Sequence, residues 1–298
     1  MKEFLHNTWK HRAHVIMSLP AVLILFFFSY VPMAGLVLAF KDFDYKAGLW
    51  KSPWYGLENF KFLVASKATF TNLTKNTLFY YVLFTAIGTV LEIILAIAID
   101  QLVFKKLGKV MQSIMIIPVF ISFTAVQFIV YAYLNSDTGM VNNLFGLSTR
   151  WYMEAKYWPA ILTIVKIWNG VGYGSVLYMS VLAGIDTQLY EAAEIDGANR
   201  WKKILHVTLP GISPTIVILL IMRIGNMMTL GWDKILLLYN PMVYEKADVI
   251  STYVYRIGLM NFEYSFAAAV GFFNSIINFI LLILANSVSR KVNETSLW

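Results

Sequence analysis

Lys166, Asn169 and Tyr173 are spaced so that one face of a helix carries an ammonium, an amide and a phenol. Gly170 falls on the same face, and Gly172 and Gly174 follow within the next turn. Further along, Arg223 and Asn226 lie three apart and place a guanidinium beside an amide. Gln127 is the polar member of a row that also holds Phe123 and Tyr131. Asn274 and Asn278 share a face on a later segment. These groups donate and accept hydrogen bonds to hydroxyls and hold anions, which is recognition chemistry.

The sets that break or make bonds are missing. No GxxxxGK[ST], GxSxG or HExxH pattern occurs. The histidines are His6, His11, His14 and His206, and the first three stand with Lys10 and Arg12. That grouping reads as a basic segment next to a membrane, because no carboxylate is interleaved to build a metal site. The absence of cysteine excludes disulfides, thiolate metal sites and a lipidated cysteine. No cofactor or metal is expected on this chain, and no catalytic residue. The Asn72-Leu73-Thr74 sequon reads as chance, and no internal repeat is visible.

The elements that must position these groups are membrane helices. Of 298 residues, 58% are hydrophobic and 14% are charged, against about 25% charged in soluble domains. A helix needs about 20 mostly apolar residues to cross a bilayer. Six stretches meet that requirement: 15–40, 77–99, 110–134, 158–183, 212–230 and 266–288. The first is too long for a cleaved signal and reads as a retained span. Residues 1–14 and 289–298 then form short terminal segments on one side. Clusters at helix ends (Lys2, Lys10, Arg12; Lys105, Lys106, Lys109; Arg200, Lys202, Lys203; Arg290, Lys291) place both termini in the cytoplasm. The net charge of +7 is therefore read as orientation, with lipid and not nucleic acid as the partner. The outer stretch with Phe43, Tyr45, Trp50, Trp54, Tyr55 and Phe60 fits an interfacial aromatic belt or a docking surface.

Polar groups inside a bilayer are costly and face a pathway or the bundle interior. Lys166, Asn169, Tyr173, Arg223, Asn226 and Gln127 are the candidate lining of a solute pathway. Two alternatives stay open. The glycines of the fourth span also suit close helix contact. Arg223, which costs at least about 2.5–3.5 kcal/mol if isolated at mid-bilayer, meets either an anionic ligand such as a uronate or Glu92 of the second span.

The loop 184–211 is too structured for a bare linker. Thr187 is a candidate cap for a helix through Glu191, Ala192, Ala193 and Glu194, and Gly197 suits the left-handed end. Asn199 is placed to cap a second helix, Trp201 to Val207, expected to stop before Pro210. From residue types alone, an amphipathic helix lying on the membrane explains Leu189, Ile195, Trp201 and Leu205 equally well.

Glu191-Ala192-Ala193, three residues, Gly197, nine residues and Val207-Thr208-Leu209-Pro210 resemble the EAA motif of ABC importer permeases, with Val207 replacing the family isoleucine. Tyr30 to Phe43, Ser52 to Phe60 and Leu238 to Gly258 look like the LplB-like branch of the carbohydrate permeases. The resemblance covers nearly the whole chain. It implies an all-α membrane protein with six transmembrane helices, the type I importer permease fold, and a cytoplasmic coupling helix. Glu191, Ala192, Ala193, Gly197, Trp201 and Pro210 would then face or shape the contact with an ATPase subunit. The partners it implies are a second homologous permease, two ABC ATPases that carry ATP and Mg, and an extracellular solute-binding protein. Asn240 and Pro241 are expected to touch the last of these. The cargo expected from that branch is an oligosaccharide or polysaccharide fragment, in the cell membrane of a bacterium. An ion-coupled carrier would need paired broken helices and inverted repeats, and an importer of a non-sugar solute remains the other alternative.

Overall fold

The computed structural model describes residues 11–61, 67–228 and 231–293. His6, Lys2, Lys10, the last residues of the tail and positions 229–230 of the fifth expected span lie outside them. Among the described residues there is no strand, only an isolated antiparallel bridge between Lys41 and Trp54. The chain forms two compact units, one of residues 1–65 and 254–273 and one of residues 66–253 and 274–298.

The first unit contains α1 (Arg12–Phe40), 29 residues of helix long and apolar enough to cross a membrane. It is α-helical to Leu25, turns wider over Phe26–Tyr30 and tightens to 3₁₀ geometry over Val31–Phe40. Pro32 stands at the last junction, where its missing N–H breaks the i→i−4 ladder. The loop after α1 is fastened by side chains. Lys41 Nζ donates to the carbonyls of Leu49 (3.0 Å) and Trp50 (2.7 Å), and Asn59 to those of Ala39 (3.1 Å) and Lys41 (2.8 Å). Phe40 stacks on Trp54 at 5.8 Å and meets Phe60 and Phe272 edge-on or tilted. Trp50, Trp54 and Tyr55 nonetheless stay exposed, as a belt or a docking face requires.

The second unit is a helical bundle. α2 (Lys67–Asp100) leads to α3 (Lys105–Phe120) and α4 (Phe123–Leu134), and then to α5 (Trp158–Leu182). The loop helix α6 (Thr187–Ile195) precedes α7 (Arg200–Gly225), and α8 (Trp232–Leu238) follows. The last long helix, α9 (Tyr264–Asn293), starts in the first unit and finishes in this one. The core joins Tyr80 and Phe84 of α2, Val126 and Val130 of α4, Trp158, Ile161, Leu162 and Val165 of α5, and Ile235, Leu238, Val243, Ala247 and Val249. A second apolar cluster holds Ala96, Tyr178, Leu182 and Ile212.

Three sequence expectations change. The stretch 110–134 is not one straight span: α3 and α4 meet at 97°. Pro118 lies in the last turn of α3, and Ser122 caps α4 by accepting from the Ala125 N–H at 3.3 Å. Together they end one helix and start the next within two residues. Second, the fifth span stops at Gly225, so Asn226 is a helix end and not a mid-span neighbour of Arg223. Third, the loop's second helix does not stop before Pro210. It widens over Ile204–Thr208 and continues into the span as α7, with Pro210 in the first turn of the new register, where its missing N–H costs least.

Five described helices are long and apolar enough to cross a bilayer, and six crossings result when the bent α3–α4 pair counts as one.

Candidate functional site

The polar interior is built around α5. Asn169 is 3% exposed. Its Nδ2 donates to the Pro118 carbonyl at 2.7 Å, and its Oδ1 accepts from Lys234 Nζ at 3.0 Å. One amide thus holds the carbonyl near the α3–α4 break and an ammonium of α8. Gly172 lies against the backbone carbonyl of Met115, where a Cβ would overlap it, and Gly174 lies against the Glu92 side chain. Both glycines serve close approach, whereas a Cβ on Gly170 would meet open space. Tyr173 is exposed, so the face read from the sequence divides between an inward amide and an outward phenol.

Arg223 resolves to the carboxylate alternative. Its Nη2 lies 2.5 Å from Glu92 Oε2 and its Nη1 donates to Thr89 Oγ1 at 2.6 Å. Glu92 is 7% exposed and the Arg223 side chain 29%, so the pair is partly buried. Asn226 donates to the Met222 carbonyl of its own helix at 3.2 Å. Gln127 is half-buried on α4. In α9, Asn278 accepts from the Met228 N–H at 3.2 Å, and Asn274 Oδ1 is buried without a partner.

The loop 184–211 is two helices with a sharp turn. Asp186, not Thr187, caps α6, by accepting from the Gln188 N–H at 2.9 Å; a carboxylate also suits the positive helix end. Gly197 has φ +73°, the left-handed conformation that side chains disfavour. Asn199 caps α7 by accepting from the Lys202 N–H at 2.9 Å. Lys203 Nζ reaches Glu194 at 2.8 Å and closes the turn. That ammonium holds the Glu194 carboxyl below its ordinary value, chiefly by donating a hydrogen bond to it. Arg200 donates to the Gln101 side chain just past α2, and Tyr190 and Thr208 hydroxyls meet at 3.0 Å. Glu191, Ala192 and Pro210 are exposed and Ala193 half-buried. Leu189, Ile195, Trp201 and Leu205 are also exposed, Ile195 at 87% and Trp201 at 72%. Large apolar groups are thus exposed beside fixed charges, as either a docking face or a helix lying on the membrane requires.

The loop after α8 is fixed to α2. Asn76 donates to the carbonyls of Glu245 (3.1 Å) and Asp248 (3.0 Å), and Tyr80 to that of Lys246 (2.7 Å). Asn240 donates to the Tyr152 carbonyl at 3.0 Å and accepts from the Met242 N–H at 2.9 Å. Pro241 and Met242 stay exposed.

Residues 88–294 match the family of binding-protein-dependent transport system inner membrane components. The chain belongs to that family. The permease is 33% identical to protein LplB of Bacillus subtilis (strain 168) over 287 residues, 95% of this chain and 90% of that one. It is 34% identical to the polygalacturonan/rhamnogalacturonan transport system permease protein YteP of the same organism, over 95% of this chain and 89% of that one. It superposes with a TM-score of 0.89 on a chain of a bacterial ABC transporter involved in import of the acidic polysaccharide alginate. That pair shares 34% identity over 98% of this chain and 99% of the other. A chain from the alginate transporter in complex with its alginate pentasaccharide-bound periplasmic protein gives 0.88 at 35% identity. The fold is the type I ABC importer permease fold, and the permease is a multi-pass membrane component.

Within the permease, Lys166 and Asn169 come together, joined by Lys234, which the sequence reading did not select. The signal was present: Lys234 is a lone cation followed by Ile-Leu-Leu-Leu in a helix of seven residues, and such a charge demands a partner or a cavity. Arg223 stands with Glu92 and Thr89, and Tyr173 and Asn226 lie apart on exposed surface. Gln101 and Tyr190, which fix the loop 184–211, also went unselected; neither stands out by type.

Proposed function

We propose that this chain is the transmembrane subunit of an ATP-driven importer that carries oligosaccharide or polysaccharide fragments, acidic ones included. The observation that carries the reading is the loop 184–211: a capped helix bearing Glu191, Ala192 and Ala193, a left-handed Gly197 and a continuous helix onward into the span. An exposed apolar rim surrounds it. In this reading the loop is the seat of a cytoplasmic ATPase, and both termini are cytoplasmic. ATP and Mg stay on that partner, and this chain contributes no bond chemistry.

The mechanism follows from the connections. A helix seated on an ATPase moves when the ATPase closes. α7 passes that movement into the bilayer, because no break separates Arg200 from Gly225. Work is done only where the outward and inward states differ in affinity for the sugar. Lys166, Asn169 and half-buried Gln127 supply hydroxyl and anion partners in the interior, the exposed Tyr173 and Asn226 meet the sugar where they face the route, and Arg223, held by Glu92 and Thr89, shapes the wall. Asn240 and Pro241 meet the extracellular binding protein, and a second homologous permease completes the pathway. The sugar class draws support from the relatives, since YteP is named for polygalacturonan/rhamnogalacturonan transport and the solved transporter for import of the acidic polysaccharide alginate.

Reconstitution tests it. The purified complex in liposomes, with ATP inside and a loaded binding protein outside, should accumulate uronate oligosaccharide. Accumulation that continues without ATP and follows an ion gradient would overturn the reading.

A further inference from the structure

α2, α4, α5 and α8 enclose a cavity of about 10 Å³, lined by Phe84, Phe123, Leu162, Lys166, Gly231 and Lys234 among others. That volume takes one water-sized group. Its walls are apolar apart from two ammonium-bearing side chains. Lys234 Nζ donates to Asn169 Oδ1 at 3.0 Å and stands 5.3 Å over the Phe123 ring. Lys166 Nζ is the atom nearest to the open side of Gly231, 3.6 Å from where a Cβ would be. Gly231 has φ +61°, so backbone and ammonium meet without an intervening side chain.

The charges do not balance. The charged neighbours of Lys166 are Lys234, Asp233, Arg223 and Glu92. With Lys166 itself that makes three cations and two carboxylates, one positive charge in excess. Glu92 is already taken by Arg223. Among the described residues, no carboxylate lies within ion-pair distance of Lys166 or Lys234. Cations on membrane segments require a carboxylate, a wet cavity or an anionic ligand. Asp233 Oδ1 lies 3.9 Å from the same Cβ position at Gly231 but is within ion-pair distance of neither lysine, and the cavity holds one water at most. The excess charge matches a single carboxylate.

We infer that Lys166 and Lys234, oriented by Asn169, form a site that reads the carboxylate of an acidic sugar during passage. The inference rests on the proposed importer reading and deepens it. The cavity takes one water-sized group, so a single carboxylate oxygen enters between the two ammonium groups while the ring that bears the carboxyl stays outside. Lys234 exchanges or shares its Asn169 partner, and Lys166 gains its first. A neutral sugar leaves Lys166 without an anion and Lys234 with the neutral Asn169 amide alone, and the difference is the selectivity. Arg223 takes no part, because its guanidinium is held by Glu92 and Thr89.

The test uses the full transporter in liposomes and two cargoes, a uronate oligosaccharide and its carboxyl-reduced counterpart. The wild type should favour the uronate by about tenfold or more, the scale of a charge-assisted pairing. K166Q/K234Q should bring the ratio of the two uptake rates near one, and K166R/K234R should keep it well above one. A glutamine variant with the wild-type ratio overturns the site. Reductive methylation of the wild type, read by mass spectrometry, removes dependence on variant folding. Uronate oligosaccharide should slow labelling of Lys166 and Lys234 several-fold more than the reduced form, and equal rates overturn the site. A wild type that carries neither cargo counts instead against the sugar-importer reading itself.

Discussion

Arg223 Nη2 of α7 lies 2.5 Å from Glu92 Oε2 of α2. The same guanidinium holds Thr89, one turn away on α2. At the other end of α7, Arg200 holds Gln101, the residue after α2 ends. The helix that leaves the loop 184–211 is therefore pinned to α2 near both of its ends, and the two should move together.

Breaking the interior pin leaves a charge without its partner. E92Q and R223M should each destabilise, R223M more because it strands the buried Glu92, with about 3–5 kcal/mol, the cost for a fully buried pair, as the upper bound. E92Q/R223M should cost clearly less than the sum, because no uncompensated charge is left. Thermal unfolding of the detergent-solubilised complex measures this, and additive losses contradict it.

Close approach at α5 predicts an asymmetry among three glycines. Gly172→Ala forces its methyl into the Met115 carbonyl, and Gly174→Ala into Glu92, which is already held by Arg223. Gly170→Ala meets nothing within 4 Å. The first should lower stability by about 1–3 kcal/mol or more, the cost of overpacking, and the last should leave it unchanged or slightly raised. Equal effects at Gly170 and Gly172 would count against the helix contact described.

The turn between α6 and α7 depends on Gly197. Gly197→Ala carries a left-handed cost of about 1–2 kcal/mol, although no atom blocks the methyl. Gly197→Asp should leave insertion intact and uncouple ATP hydrolysis from uptake. Normal uptake by that variant, measured at equal expression, removes the loop from the coupling role. Asn199→Ala should weaken the same turn through loss of its cap, by about 1 kcal/mol.

Acid should loosen the turn as well. Lys203 holds the Glu194 carboxyl below its ordinary value in the folded chain. A depressed folded pKa contributes stability above the unfolded pKa, and that contribution is lost as pH falls through the folded value. The site is exposed, so the effect is small and screened by salt. Lys203→Ala should raise the Glu194 pKa toward the ordinary carboxylate range, seen by NMR of side-chain-labelled glutamate. An unmoved pKa would mean that the contact is not populated.

Much of this was readable from residue types. Long apolar runs gave the spans because the bilayer leaves a helix little alternative. The capped loop was legible because Gly197 and Asn199 act locally. What failed was set by tertiary contacts. The right-angle break after Phe120 is held by Asn169 from a distant helix, and no local periodicity contains that bond. Pro210 read as a stop, yet a widened turn before it lets α7 continue. Lys234 is not legible as part of the site from local sequence, because the residue it meets, Asn169, lies 65 positions away. Arg223 was read with two partners open, and only packing chose Glu92.

The central claim is that α6 seats on an ATP-hydrolysing subunit. The chain has no cysteine, so a single cysteine at position 191 is the only thiol it offers. Crosslinking Glu191→Cys in membranes that hold the native complex should join the permease to a P-loop ATPase. Trp50→Cys, on the exposed loop after α1, should not reach it. An adduct from position 191 that contains the ATPase supports the account. Failure to capture it from position 191, or equal capture from position 50, would contradict it.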